Sequence, residues 1–443
     1  MSTSIIANKA FCRTIQTEVS FIIHNSGVGK LPPGPARVAV PGHRRGARQR
    51  GPARHVAGVA LAAGQHPAVG GDAARVALAG RSAGAYAAHT LALSPAAAPL
   101  FRALVGSDGT ALIEKNLMTY PVTVARNYAK KLGFDSDDVE ELAKFYREAP
   151  VDQLLNQSLN FVNMDDGELG FGVCVERPVP GVERLVPRAP ALLLPANARP
   201  ALFTYCDDES SIKAADLVKK NREYNENFPI FMPANLDFPS DEIKYAVSNE
   251  TRSFYFGNGT ITAASRAAFG DFWADRQYVY QAAYCAAEQA ARAPAFLLEF
   301  TYEGGLSEKK PEPAARGAGH PDFFNYLMPP KEVDDEDDLR IVKEITTIVA
   351  DFVKTGICAF SISTVGPACG RPPKPIRYRL TRMVAGGGAG PESGVGAARG
   401  PRPRGADAAP RRSALPPALA LWHRLYSRYR RTNYWPLTDP AAG

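Results

Sequence analysis

Arg75-Val-Ala-Leu-Ala-Gly-Arg-Ser-Ala-Gly-Ala-Tyr86 reads as a strand, a sharp turn and the opening of a helix. Val76 to Ala79 is a short apolar run suited to a buried strand, and the small residues from Ala83 to Leu93 suit a helix packed closely against it. Between them, Gly80-Arg81-Ser82-Ala83-Gly84 spells G-x-S-x-G. A serine on such a turn needs a backbone that few residues tolerate, and glycines two positions to either side let strand and helix close around it. The turn lifts the hydroxyl off the carboxyl edge of a sheet, where a base can reach it. Ser82 is therefore the candidate nucleophile, with Gly80 and Gly84 as the glycines of its elbow.

A random chain of this length contains the pentapeptide about 0.1–0.2 times, so the reading needs partners. A serine hydroxyl is a weak nucleophile and requires a base, most often a histidine held by a carboxylate. Of the seven histidines, His43, His55 and His66 fall in an irregular tract, His89 on the helix after the elbow and His423 on a terminal helix. His24 and His320 remain. His320 closes Gly317-Ala-Gly-His320, a loop between the strand reading Phe296-Leu-Leu-Glu-Phe-Thr301 and the strongest helix of the chain. The carboxylate should follow an intervening strand, in the chain order Ser, Asp or Glu, His. Asp208 and Glu209, just past Ala201-Leu-Phe-Thr-Tyr205, meet that demand.

Strands alternating with helices imply an α/β fold with a mostly parallel, doubly wound sheet. Leu104 to Gly109 reads as a strand and turn, Val122 to Leu132 as a helix stopped by Gly133, and Phe171 to Glu176 as a further strand. Val139, Leu142, Phe145 and Tyr146 share one helical face, and residues 210–295 read as mostly helical. The strongest helix opens with Asp334 to Asp338, carries the stripe Leu339, Val342, Ile345, Val349 and Phe352, and ends at Lys354 and Gly356. Its leading acids read as partners of the helix dipole rather than as metal ligands. Ala418 to Arg431 is a last amphipathic piece.

The 443 residues, 45% hydrophobic, suffice for one large α/β domain over 1–443. No run of 18 apolar residues predicts a membrane span. No amino-terminal stretch reads as a signal peptide, which predicts a cytoplasmic chain as written, or a secreted or endoplasmic-reticulum one if the native start lies elsewhere. The net charge of +7 arises in two tracts. Residues 31–71 hold six arginines and no acid, and residues 384–413 hold five arginines against Glu392 and Asp407. Both are rich in Gly, Pro and Ala, lose helical and strand periodicity, and are expected to be irregular or disordered and to stay out of the packed sheet. They lack interleaved aromatics, so no nucleic-acid role is expected. The six cysteines form neither a C-x-x-C nor a grouping with histidine, and no metal or cofactor is expected. Sequons stand at Asn156, Asn249 and Asn258.

Gly80-Arg-Ser-Ala-Gly84, Cys206-Asp-Asp-Glu-Ser210 and Gly317-Ala-Gly-His-Pro-Asp322 together resemble the three catalytic blocks of the type-B carboxylesterases, α/β-hydrolase serine esterases that include cholinesterases and insect carboxylesterases. Gly70-Gly71-Asp72, Leu100-Phe101-Arg102, Gly109-Thr-Ala-Leu112 and Ile230-Phe-Met-Pro233 resemble insect members in particular. The resemblance covers roughly residues 70–363 and, faintly, 414–432. It implies an α/β-hydrolase fold and hydrolysis of small-molecule carboxylic esters without a cofactor. Ser82 is then the nucleophile, His320 the base and Glu209, rather than Asp208, the orienting acid, because the family motif D-E-G places its catalytic glutamate there. The Ala83 amide is the implied oxyanion donor.

Three departures stand out. Ser210 replaces the motif glycine, and Arg81 stands where the family has glutamate, which implies altered selectivity. The family's His-Gly-Gly-Gly loop, source of most oxyanion donors, is not recognisable. His24-Asn-Ser-Gly27 has its flavour but lies too near Ser82 along the chain. The two arginine tracts stand where ordinary family sequence is expected and read like out-of-frame translation of GC-rich coding sequence. The competing expectation is thus a damaged or non-catalytic member of the fold serving as a binding module. A lipase is a weaker alternative, because no interfacial lid can be identified.

Overall fold

The computed structural model describes residues 20–25, 76–156, 173–178, 183–209, 221–308, 317–358, 378–383, 392–393 and 416–434. The tract 31–71, expected to be irregular, lies outside them, as does Gly70-Gly71-Asp72. Among the described residues, a seven-stranded sheet runs in sequential order: β1 (Ser20–Asn25), β2 (Val76–Arg81), β3 (Ala103–Ser107), β4 (Ala201–Cys206), β5 (Ala295–Phe300), β6 (Tyr378–Met383) and β7 (Glu392–Ser393). The first five strands are parallel, and β6 and β7 complete the sheet antiparallel. The main helices are α1 (Ala83–Leu93), α2 (Pro121–Lys131), α3 (Val139–Glu148), α4 (Asp241–Phe256), α5 (Arg266–Ala274), α6 (Tyr280–Ala290), α7 (Asp322–Leu327), α8 (Glu336–Thr355) and α9 (Pro417–Tyr429).

The central strands are apolar on both faces, as strands covered by helices on either side must be. Alternation along β2 divides the core. Ala77 and Ala79 join Val105, Leu202, Phe296 and Leu298 against the Ile341, Ile345, Val349 and Phe352 face of α8. Val76 and Leu78 point the other way, with Leu104 and Phe203, toward Leu91 of α1 and Cys285 of α6. A third, largely aromatic cluster gathers Phe228, Phe231, Phe269, Phe272 and Trp273 around Trp422 and Leu425 of α9. The terminal amphipathic piece is thus part of the fold.

Four expectations change. Phe171 and Gly172 lie outside the described residues; of Val173 to Glu176, Val173 pairs in an isolated bridge to Leu117, and no strand forms among these described residues. Leu339 lies 47% exposed, off the buried stripe of α8, whose apolar face is completed instead by Ile341, Ile348 and Val353. Asp338 is more than a dipole partner. It is buried and accepts hydrogen bonds from the Tyr302 and Tyr326 hydroxyls and the Gly305 amide, while Asp335 caps the helix. Finally, Glu392–Ser393, inside the tract expected to avoid the sheet, pairs with β6. The cap at Gly356 is as expected, with φ of 76° in the left-handed region.

Candidate active site

The elbow forms where the sequence places it. β2 ends at Arg81, α1 begins at Ala83, and Ser82 between them holds φ 52° and ψ −124°. Its amide donates to the Ser107 carbonyl (2.8 Å), and its own carbonyl accepts from Ala85 (2.8 Å) and Tyr86 (3.1 Å). Gly80 has a steric reason: a Cβ there would lie 2.2 Å from the Gly84 carbonyl oxygen. Helix and strand can approach this closely only because that position carries no side chain. Ala83 is exposed at the helix start, where amides have no intrahelical partner.

Glu209 follows β4 at the same carboxyl edge of the sheet. The turn that carries it is stitched to the histidine loop. The Asp208 amide donates to the Ala318 carbonyl (2.9 Å) and the Ala318 amide to Asp207 Oδ1 (2.6 Å), with a bridge pairing Asp208 and Gly319. Asp322 fixes the far side of the loop by accepting from the Gly319 amide (2.7 Å). Two turns distant in sequence thereby meet, and His320 Nδ1 lies 2.6 Å from Glu209 Oε2. The other carboxylate oxygen of Glu209 accepts from the Cys206 amide (2.8 Å). A carboxylate only accepts, so Nδ1 carries the proton and Nε2 is left as the basic nitrogen. Glu209 is wholly buried and His320 is 8% exposed.

Asp208 does not compete for the role, since its backbone pairs with the loop while Glu209 meets the imidazole. His89 is excluded as a base. It is fully buried, it accepts the Ala111 amide at Nδ1 (3.1 Å), and burial, with the charge of Arg199 adding, pushes it down to about 3. His24 lies on β1, opposite Gly80, with Asn25 opposite Arg81. Proximity to Ser82 along the chain is therefore no obstacle: parallel pairing brings the carboxyl end of β1 beside the elbow.

Three residues join the site without any motif to mark them. The buried Tyr86 side chain neighbours Ser82 and Tyr278, and the Tyr278 ring lies 5.0 Å from that of His320. Asp108 follows β3 and is fully buried, with one ligand atom each of Asp108, Glu209 and His320 lying within 4.8 Å of one another. The signal available for it was positional, an acid in the turn after the strand next to the elbow strand. The three donors are not spaced for a metal. A tetrahedral ion holding nitrogen and oxygen at ~2.0–2.2 Å would set them about 3.3 Å apart, whereas His320 and Glu209 stand at hydrogen-bonding distance. A cavity of about 320 Å³ lined by Tyr302, Glu303, Asp335, Asp337 and Asp338 contains none of these residues. Among the described residues, Cys174, Cys206, Cys285 and Cys358 are buried and form no disulfide, and no helix is long and apolar enough to cross a membrane.

The sequence model of the carboxylesterase family matches residues 66–369. The chain belongs to the carboxylesterase family. Among curated proteins it is 27% identical to Esterase FE4 of Myzus persicae over 72% of this chain and 58% of that one. It is 27% identical to the juvenile hormone esterase of Heliothis virescens over 64% of this chain and 53% of that one. The chain thus spans little more than half the length of these relatives. Among solved structures, the juvenile hormone esterase of Manduca sexta, determined with OTFP covalently attached, aligns with a TM-score of 0.62 at 22% identity over 71% of this chain and 62% of that one. This carboxylesterase chain has the α/β-hydrolase fold.

Proposed function

We propose that this chain is a serine carboxylesterase acting on small-molecule carboxylic esters through an acyl-enzyme on Ser82. The observation that carries the reading is the buried 2.6 Å contact between His320 Nδ1 and Glu209 Oε2, at the sheet edge where Ser82 holds its strained turn. Glu209 fixes the imidazole tautomer, so Nε2 takes the proton as Ser82 Oγ bonds to the ester carbonyl carbon. Collapse of the tetrahedral intermediate breaks the bond to the alkoxy oxygen, which leaves with that proton. Water, deprotonated by the same nitrogen, then attacks the acyl carbon, and Ser82 departs with the proton returned. The Ala83 amide, exposed at the first position of α1, serves as the oxyanion donor in this reading.

A fluorophosphonate probe tests the assignment. We expect one label per chain, mapped to Ser82 by peptide mass, and none on a Ser82→Ala variant. Equal labelling of that variant, or labelling at another serine, overturns it. The competing reading, a non-catalytic member of the fold, has in its favour the unrecognisable His-Gly-Gly-Gly sequence, and it predicts no label on a folded chain.

A further inference from the structure

Among the described residues, two residues other than glycine hold positive φ, Ser82 at 52° and Asp108 at 54°. They are neighbours in space, because β2 and β3 pair in parallel with Arg81 opposite Ser107, and each strained residue follows its strand by one position. Left-handed backbone costs a non-glycine residue on the order of 1 kcal/mol, and such outliers gather at functional sites. The Asp108 conformation is held by its amide, which donates to the Thr204 carbonyl (2.9 Å), and its carboxyl accepts from Ser107 Oγ (3.1 Å) and faces Cys206 Sγ (3.8 Å). A carboxyl oxygen of Asp108 lies within 4.8 Å of a carboxyl oxygen of Glu209, and a ring nitrogen of His320 lies within that distance of both. This brings together two fully buried carboxyl groups.

We propose that Asp108 is a positioning residue for the proposed triad: its protonated carboxyl donates to Glu209, so that the two acids share one proton and present a single negative charge to His320. The proposal rests on the reading of Ser82, Glu209 and His320 given above. Two carboxylates in contact in a dry site do not both ionise. Burial pushes both groups well above the ordinary carboxylate range, with the charge of Glu209 raising Asp108 further. The Cys206 amide and His320 Nδ1 both aim at Glu209, so the charge resides on Glu209 and the proton on Asp108. The more distant charges act against this placement but are the weaker influences. Arg81 of β2, where the family has glutamate, adds a positive charge toward Asp108, and Asp208 and Asp322 add negative charge toward Glu209, each outweighed by burial of Asp108 and by the Cys206 amide on Glu209. Tyr86 of α1 and Tyr278 complete the wall; both are buried, which keeps their phenols neutral. Without the donor at Asp108, Glu209 keeps one strong partner fewer and holds the imidazole less firmly.

Asp108→Asn and Asp108→Gly test this. Asparagine tolerates positive φ and its amide mimics the protonated acid, whereas glycine keeps the backbone and removes the donor. Two readouts are used: the pH dependence of fluorophosphonate labelling, and titration of the His320 imidazole by nitrogen-15 NMR, assigned with a His320→Gln control. For Asp108→Asn we expect labelling within about threefold of the parent and an unmoved imidazole midpoint. For Asp108→Gly we expect labelling slowed roughly ten- to hundredfold, the loss of one hydrogen bond to a charged group. If Asp108 is instead ionised, Asp108→Asn removes a charge within a few ångströms of the imidazole, and the midpoint falls by about one unit or more. That shift overturns the proposal, as does unslowed labelling of Asp108→Gly. Should no variant label at all, the reading of Ser82 fails, while the NMR midpoint of Asp108→Asn still decides whether the acids share a proton.

Discussion

The residues that define this site are legible in the sequence to different depths. Ser82 is readable because its chemistry demands a backbone, and that backbone demands Gly80 and Gly84 nearby. Glu209 and His320 are readable only as blocks in the right order, since what makes them partners is a contact between two turns 111 residues apart, made through Asp207, Asp208 and Ala318. Asp108 has no local signature, because its role comes from β3 lying beside β2 and β4. Glu209→Gln is informative at this scale. The substituted amide can still accept from the Cys206 N–H but can also offer its own N–H to the imidazole, which favours the wrong tautomer. We expect labelling of Ser82 to slow by ~10²-fold or more, toward the ~10⁴ known for such tautomer errors. Burial of Glu209 is already unfavourable to its charge, so removing that charge should leave the melting temperature unchanged or higher. A lower melting temperature with unslowed labelling would make Glu209 a structural residue.

At the scale of elements, periodicity located most strands and helices of the described core, because burial on two faces or one leaves a pattern that a sequence must carry. The failures have physical causes. Phe171 to Glu176 has strand composition but finds only Leu117 as a pairing partner among its described residues. The acid run at the start of α8 looks uniform in sequence, yet its members do different work. Asp335 caps the helix at its exposed end, whereas Asp338 turns inward to three donors. Asp338→Ala should therefore cost on the order of 2–3 kcal/mol, since two buried tyrosine hydroxyls and the exposed Gly305 amide lose their acceptor. Asp335→Ala should cost only about 1 kcal/mol, as cap removal does. Urea midpoints of the two variants check this, and equal midpoints would return the whole run to dipole partners. A second element carries a pH signal. Where α5 passes into the π-helical turn Asp275–Val279, the Trp422 indole donates to Tyr255, whose hydroxyl donates to Asp275 Oδ2 (2.9 Å). Burial, helped by the charge of Asp271, pushes Asp275 up to about 7. Its folded value exceeds its unfolded one, so its contribution to stability is complete below about 4 and is lost as pH rises to about 7. Asp275→Asn keeps an acceptor and removes the titration. Its stability relative to the parent should rise by on the order of 1 kcal/mol per pH unit from about 4 to about 7 and then level off. Urea titrations across that range with no change in the difference would refute it.

On the scale of the whole molecule, the three sequence blocks that resemble the family's and the sheet that carries them are present in a chain that spans little more than half of its curated relatives. Composition set the two arginine tracts apart from the core in expectation, since ordering Gly, Pro and Arg without an apolar face has no burial to offset its entropy; of their residues only Glu392–Ser393 is described, and it pairs with β6. Composition did not reveal that β1 lies against β2, because so short a strand carries little pattern and its partner lies far along the chain. That pairing changes where an oxyanion loop belongs in this chain. Asn25, at the carboxyl end of β1, stands opposite Arg81, the residue before Ser82. In His24-Asn-Ser-Gly27, two substitutions, Asn25→Gly and Ser26→Gly, create the His-Gly-Gly-Gly sequence whose amides supply oxyanion donors in lipases and esterases. An oxyanion donor is worth ~10²–10³ in kcat, because its dipole is fixed where charge develops. The parent chain, with the Ala83 amide as its assigned donor, should therefore acylate slowly and turn over poorly. The doubly substituted chain should turn over an aryl ester at least ~10²-fold faster, with the same serine labelled. Burst and steady-state rates on both chains decide the matter. If the parent already matches the variant, its oxyanion donors are complete and come from residues other than this loop. If the variant gains nothing and Ser82 still labels, the end of β1 does not reach the oxyanion.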